Sequence, residues 1–209
     1  MRHVPAGVRL KPEDIAFSAA LAQAERPSAA YDVSKWLFVP NSYQEYRYLL
    51  GTRGKDPLLC IGVNPSTAAP DSLDPTLKSV QRIALQNGFD SFIMLNLSAQ
   101  RATDPDLMAE EPDECLHAEN LEAFRYALSL CRRKSVWAAW GNVITKRSYL
   151  YRYAADFINE GRSLGADFFC CGRISKLGHP HHPLYLKSDE PLRAFDADGY
   201  LLSLSAYCG

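Results

Sequence analysis

The sequence predicts an α/β protein: a three-layer α/β/α sandwich around a central, mostly parallel four-stranded sheet. Three observations carry this. Four short apolar runs, LLCIGV (58–63), FIMLNL (92–97), SVWAAW (135–140) and DFFCCG (167–172), read as strands buried on both faces. Helical periodicity fills the intervals between them. Strand, helix and strand at this spacing make right-handed crossovers.

The elements follow in order. PEDIAFSAALAQAE (12–25) is an expected short helix with Glu13 and Asp14 in its first turn. RPSAAYDVS then reads as linker, so residues 1–34 form an N-terminal extension and 35–209 a single domain. YQEYRYLLG (43–51) alternates and is aromatic, as a strand would, and GTRGKDP (51–57) is a turn by its Gly and Pro content. The segment 74–88 opens on Asp74 and Pro75, sets Leu77, Val80, Ile83 and Ala84 on one side, and stops at Asn-Gly. Segments 113–133 and 145–161 each carry one apolar stripe, the first through Leu116, Ala123, Phe124, Ala127 and Leu128, the second through Tyr149, Leu150, Tyr153, Ala154 and Phe157. PLRAFDADGYLLSL (191–204) reads as a hairpin around Asp198-Gly199.

Composition narrows the function classes. With 209 residues, 47% of them hydrophobic and 22% charged, the chain can build one substantial core. No run is apolar enough to span a membrane and no secretory h-region opens the chain, so a cytoplasmic location is expected. The six cysteines do not read as a disulfide scaffold: Cys60, Cys170 and Cys171 fall in expected core strands as small hydrophobes, and a reducing compartment is expected. A net charge of −1 argues weakly against a nucleic-acid partner, although TKRSYLYR (145–152) and GRISKLGHPHH (172–182) are locally basic.

The unusual polar residues fall at strand ends. Asn64, Pro65, Ser66 and Thr67 follow the first central strand; Asn96, Ser98 and Arg101 lie at or after the second; Gly141 and Asn142 follow the third; GHPHHPLYL (178–186) follows the fourth. In a parallel sheet these ends share one edge, where open α/β sheets hold their ligands. A turn alone would account for Asn64-Pro65, and a buried hydrogen bond for Asn96. The prolines of HPHHP exclude a helical His pair and no Cys/His set has a zinc spacing, so neither metal nor cofactor is expected.

IGVNPS, FIMLNLSAQRA, VWAAWG and HPHHPLYL, in that order, resemble the motifs of the uracil-DNA glycosylase superfamily. More closely, NPSTA…DPT…NL…RATDP…AWG…GHPHHPLY is similar to a bacterial and phage domain family of unknown function, over roughly residues 45–187. The resemblance implies a monofunctional DNA glycosylase acting on a base flipped out of the stack. Asn64 would match the residue that positions water and Asn96 the amide that reads the base. Aligning on His-Pro-Leu selects His182 as the donor to the departing base, the preferred assignment; aligning on the first His-Pro selects His179. Gly62, Val63, Pro65, Ser66, Thr67, Ser98 and Arg101 would complete the substrate pocket. DNA would be met by Gly141, Asn142, Lys146, Arg147, Lys176 and His181. Uracil enzymes of the superfamily place Tyr where Ser66 stands, so the small residue implies room for a C5-modified pyrimidine, as found in phage genomes, and a role in phage defence or repair. The alternatives are a non-catalytic nucleic-acid or nucleotide binder on the same fold, and a hydrolase of free nucleosides or nucleotides. No protein partner is implied.

Overall fold

The computed structural model describes residues 3–6, 10–187 and 189–204, so parts of the expected N-terminal extension and the last five residues of the expected domain lie outside the described residues. The architecture is α/β, with one seven-stranded sheet flanked by helices on both faces.

The strands are β1 (Trp36–Val39), β2 (Leu49–Thr52), β3 (Pro57–Gly62), β4 (Ser91–Asn96), β5 (Ser135–Ala138), β6 (Asp167–Cys171) and β7 (Leu192–Ala194). Their order across the sheet is β1-β2-β4-β3-β5-β6-β7. The expectation of a mostly parallel, four-stranded sheet is corrected. β3, β4, β5 and β6 are parallel to their neighbours among themselves, but β1 pairs β2, β2 pairs β4 and β7 pairs β6 antiparallel. The added strands cover backbone edges that would otherwise template association.

The helices are α1 (Pro12–Ile15), α2 (Phe17–Ala24), α3 (Pro75–Gln86), α4 (Glu114–Ser129), α5 (Tyr149–Ser163) and α6 (Ala197–Leu204). Side chains of β3 alternate between two cores. Leu59 and Ile61 join the core built with α1, α2, α4, α5 and α6, whereas Leu58 and Cys60 join the one built with α3. α3 starts as its sequence demands: the Asp74 carboxylate accepts from the Leu77 amide at 2.8 Å, and Pro75 occupies the first turn, where no N–H is needed. α4 is capped in the same way by Asp113, which accepts from Leu116 N at 3.0 Å.

Two expectations at the chain ends change. The single N-terminal helix is broken at Ala16 into α1 and α2, and Ile15, Phe17, Ala20 and Ala24 are buried against the sheet. The expected hairpin at 191–204 is a strand followed by a helix. Asp196 Oδ1 accepts from Gly199 N at 2.9 Å and Asp196 O from Tyr200 N at 3.0 Å, so Asp198-Gly199 sits inside the first turn of α6. Tyr200 and Leu204, one helical turn apart, then face the core.

The crossovers set the position of the functional edge. β3 leads through α3 to β4 on one side, and β4 leads through α4 past β3 to β5 on the other. The loops after β3 and β5 therefore diverge and leave a crevice at the C-terminal edge of the sheet.

Candidate functional site

A cleft of about 270 Å³ opens at this edge, near the lower end of the range of about 300 to 1,000 Å³ common for small-molecule sites. Its lining includes Arg47, Asn64, Ser66, Asp74, Asn96 and His182, with Val63, Met94 and Leu77 as apolar wall and Leu184 and Tyr185 at the side.

Asn64 is placed by the loop that breaks β3. Its Nδ2 donates to Ala102 O at 2.5 Å, and Pro65 O accepts from Ala102 N at 3.1 Å, so the Asn-Pro turn is clamped to the segment after β4. One Nδ2 hydrogen is spent there, and Oδ1 is the acceptor this side chain has left to offer.

Asn96 ends β4 and is 1% exposed. Asn120 of α4 donates to its carbonyl at 2.8 Å, which holds the backbone, yet Asn96 Nδ2 is buried with no partner among the described residues. Such an orphan in a cleft wall costs desolvation until a ligand acceptor meets it. Gly62 makes room for it: a Cβ on Gly62 would lie 2.8 Å from Asn96 Oδ1.

His182 heads the short 3-10 turn Pro183–Tyr185, where its Nδ1 accepts from Leu184 N at a long 3.4 Å. That bond assigns the proton of the neutral ring to Nε2, a donor. Burial lowers the His182 pKa, opposed by the Asp74 charge. Ser79 of α3 donates to Pro183 O at 2.9 Å and fixes the segment from below. Gly141, at φ +60°, allows the closest approach from the loop after β5, since a Cβ there would sit 3.0 Å from His182 Cβ.

His179 occupies a different place. It is 5% exposed, its Nδ1 accepts from Tyr200 OH at 2.9 Å, and Tyr200 in turn accepts from Trp140 Nε1 at 2.8 Å. The cleft therefore brings together Asn64, Asn96 and His182 and leaves His179 in the core, where burial lowers its pKa.

The other expected residues divide. Ser66 lines the cleft, and its hydroxyl donates to Asp74 Oδ2. Gly62, Val63 and Pro65 shape the wall or the backbone beneath it, while Thr67 is exposed. Ser98 lines a separate cavity of about 50 Å³, with His117 and Tyr153. Arg101 lies fully buried behind the loop and donates to Ser66 O. Asn142 accepts from Ser175 Oγ at 2.6 Å, Lys146 pairs with Asp106 at 2.7 Å, and Arg147 donates to the carbonyls of Asp106, Met108 and Ala109. Lys176 is exposed, and His181 lines a shallow surface depression near Arg193.

Arg47 is the main residue that the sequence reading passed over. It stands just ahead of β2, 1% exposed, with Nη1 donating to Ala68 O at 3.1 Å and Nε unpartnered among the described residues. Burial brings its pKa down to about 9, with the neighbouring Arg101 charge adding to the effect and Asp74 opposing it. One signal was available: a lone Arg between tyrosines and next to LLG, where both faces of the chain are apolar. Asp74 was expected only as a helix start and is also a cleft residue. Among the described residues no group of three or more His, Cys, Asp or Glu side chains is gathered for a metal, and no helix is long and apolar enough to cross a membrane.

The sequence matches the DUF1643 family, described as a protein family of unknown function, over residues 47–184. The chain belongs to this family. The DUF1643 segment begins at Arg47 and runs to Leu184, and so takes in Asn64, Asn96 and His182 together. No curated protein and no solved structure matches the chain.

Proposed function

We propose that the cleft hydrolyses the N-glycosidic bond of a pyrimidine nucleotide whose base is inserted into it, in DNA after flipping. The observation that carries this reading is the meeting of Asn64, Asn96 and His182, from three separate segments, in one cleft. Asn64 Oδ1 accepts a hydrogen from the attacking water and orients it toward C1′. An amide is too weak a base to deprotonate water early, so the barrier is lowered mainly where charge develops on the leaving base. Asn96 can offer both a donor and an acceptor to a pyrimidine edge. His182 Nε2–H donates to the base oxygen that gathers the electron pair as the C1′–N bond breaks. Water's oxygen ends on C1′, and its proton is released to the departing base or to solvent.

The Ser66–Asp74 hydrogen bond refines the substrate side of the proposal. Ser66 is small, and its bond to a carboxylate makes that wall polar. A hydroxylated or glycosylated C5 substituent fits it better than a methyl group.

A second reading, hydrolysis of free nucleotides, is favoured by one specific observation. Lys146 and Arg147, which would track a DNA backbone, are engaged within the protein.

The test is direct. Oligonucleotides carrying uracil, 5-hydroxymethyluracil or 5-hydroxymethylcytosine are incubated with the protein and treated with alkali, and the matching monomers are followed by chromatography for free base. Breaks at the modified position, lost in Asn64→Ala, are expected. Base release from monomers alone selects the second reading. No released base from any substrate overturns both.

A further inference from the structure

Two buried guanidinium groups, Arg47 and Arg101, lie beneath the loop that follows β3, and neither forms an ion pair with a carboxylate among the described residues. Arg101 is anchored to Ser66 O, stacks its guanidinium over Tyr43 at 4.7 Å and sits behind the cleft. Arg47 is in the cleft wall itself. Among the described residues its guanidinium makes one hydrogen bond, to Ala68 O, and its Nε has no partner. The carboxylate that acts on it electrostatically, Asp74, has its oxygens engaged by the Ser66 hydroxyl and the Leu77 amide.

A buried cation is costly unless an anion compensates it. Here the fold supplies carbonyls and a second cation instead, and the proximity of Arg101 raises the cost. The deficit is that of a site built for an anion from outside. The guanidinium fork matches phosphate oxygens in a way that a point charge does not. Because Arg47 is almost fully buried, only a group that enters the cleft can reach it.

We propose that Arg47 is the phosphate-binding group of this cleft, receiving a phosphate that the nucleotide substrate carries in with its sugar. The inference rests on the cleft being the substrate site argued above. The phosphate has two possible sources, the monoester of a free nucleotide or the diester of a strand, and the two are separable by experiment.

The probes lack an N-glycosidic bond, so turnover does not intervene: ribose, ribose 5-phosphate, and a single-stranded oligonucleotide with one tetrahydrofuran abasic site. Calorimetry on the full chain is expected to show ribose 5-phosphate, or the oligonucleotide, binding at least about tenfold tighter than ribose. Arg47→Met should remove the difference and Arg47→Lys should keep part of it. A preference for ribose 5-phosphate identifies a free nucleotide, and a preference for the oligonucleotide identifies a strand. If Arg47→Met does not fold, the arginine Nε–H resonances of the wild-type chain serve instead: one should shift on adding ribose 5-phosphate or the oligonucleotide and not on adding ribose. Equal binding of all three probes, an unchanged preference in Arg47→Met, or arginine resonances that ignore both phosphate probes overturns the inference. Base release without any phosphate preference would remove this inference and leave the glycosidic reading standing. An Arg47-dependent phosphate preference without base release from any substrate would do the reverse.

Discussion

Asn96 stands directly across from Gly62 in the parallel register of β4 and β3, and its side-chain oxygen occupies the space a Cβ on Gly62 would need. The absent side chain on one strand thus positions an amide on the next. Gly62→Ala would put a methyl 2.6 Å from Met94 Cε and 2.8 Å from Asn96 Oδ1. The expected cost is about 1 to 3 kcal/mol, as for overpacking a filled core. The variant should also lose ligand binding in the cleft by more than its lowered stability explains. Urea denaturation together with calorimetry on the folded fraction checks both.

Asn64 offers a contrast between two substitutions. Asn64→Ala removes the oxygen that would hold water and the donor to Ala102 O. Base release should fall by about 10²-fold, the order expected when a reacting group loses its placement. Asn64→Asp keeps the shape but turns a carboxylate oxygen toward Ala102 O, where a donor stood. It should destabilise the fold by about 1 to 3 kcal/mol through the unsatisfied, repelled carbonyl, and it should not restore activity. Base-release rates and thermal midpoints of the two variants decide this.

Two histidines, His179 in the core and the half-buried His182, make stability depend on pH. Burial lowers the pKa of His182 and of His179 below the ordinary 6.5, more than the Asp74 charge raises that of His182. Just below pH 6.5 the unfolded chain therefore binds more protons than the native one, and stability rises with pH. The contribution of the neutral rings is fully present above 6.5 and is lost as the pH falls through the native values. Urea midpoints should drop between about pH 7.5 and about pH 5.5, and His182→Gln should flatten part of the drop. A midpoint that is level across this range, or that rises on acidification, contradicts it.

Lys146 and Arg147 should behave differently from surface phosphate contacts. Arg147 ties the carbonyls of residues 106, 108 and 109 to the start of α5. Arg147→Ala should cost about 1 to 3 kcal/mol by leaving carbonyls unpaired. Lys146→Ala loses only an exposed pair with Asp106, worth about 1 kcal/mol or less. Gel retardation of an oligonucleotide should change little in Lys146→Ala, whereas a strong loss would return this residue to a strand-binding role.

The parts of the fold legible in the sequence are those where local pattern and burial agree. The apolar runs at 58, 92 and 135 are buried on both faces, so no solvent-facing alternation obscures them, and the run at 167 departs from this only at Asp167, which is exposed, and Phe169, which is half-buried. β1 was not legible: WLFV is four residues long, and its pairing with residues 49–52 comes from chain reversal rather than from its own composition. The Asp-Gly of residues 198–199 carries a turn signal in isolation, and only the Asp196 cap upstream turns it into a helix start. His179 and His182 lie three residues apart in one run of His and Pro. Which of them lines the cleft depends on contacts from elsewhere, such as Tyr200, which reaches His179 from α6.

By itself the sequence determined the α/β class, the four central strands and the polar breaks at their ends, because each depends on neighbouring residues along the chain. Only the tertiary structure decided which of those breaks share a cleft, that Ser66 holds Asp74, and that Arg47 lies buried with no ion-pair partner among the described residues. These are properties of segments brought together from distant positions. A charged residue's burial is set by what packs over it, and the loop covering Arg47 arrives some twenty residues later, with Ala68.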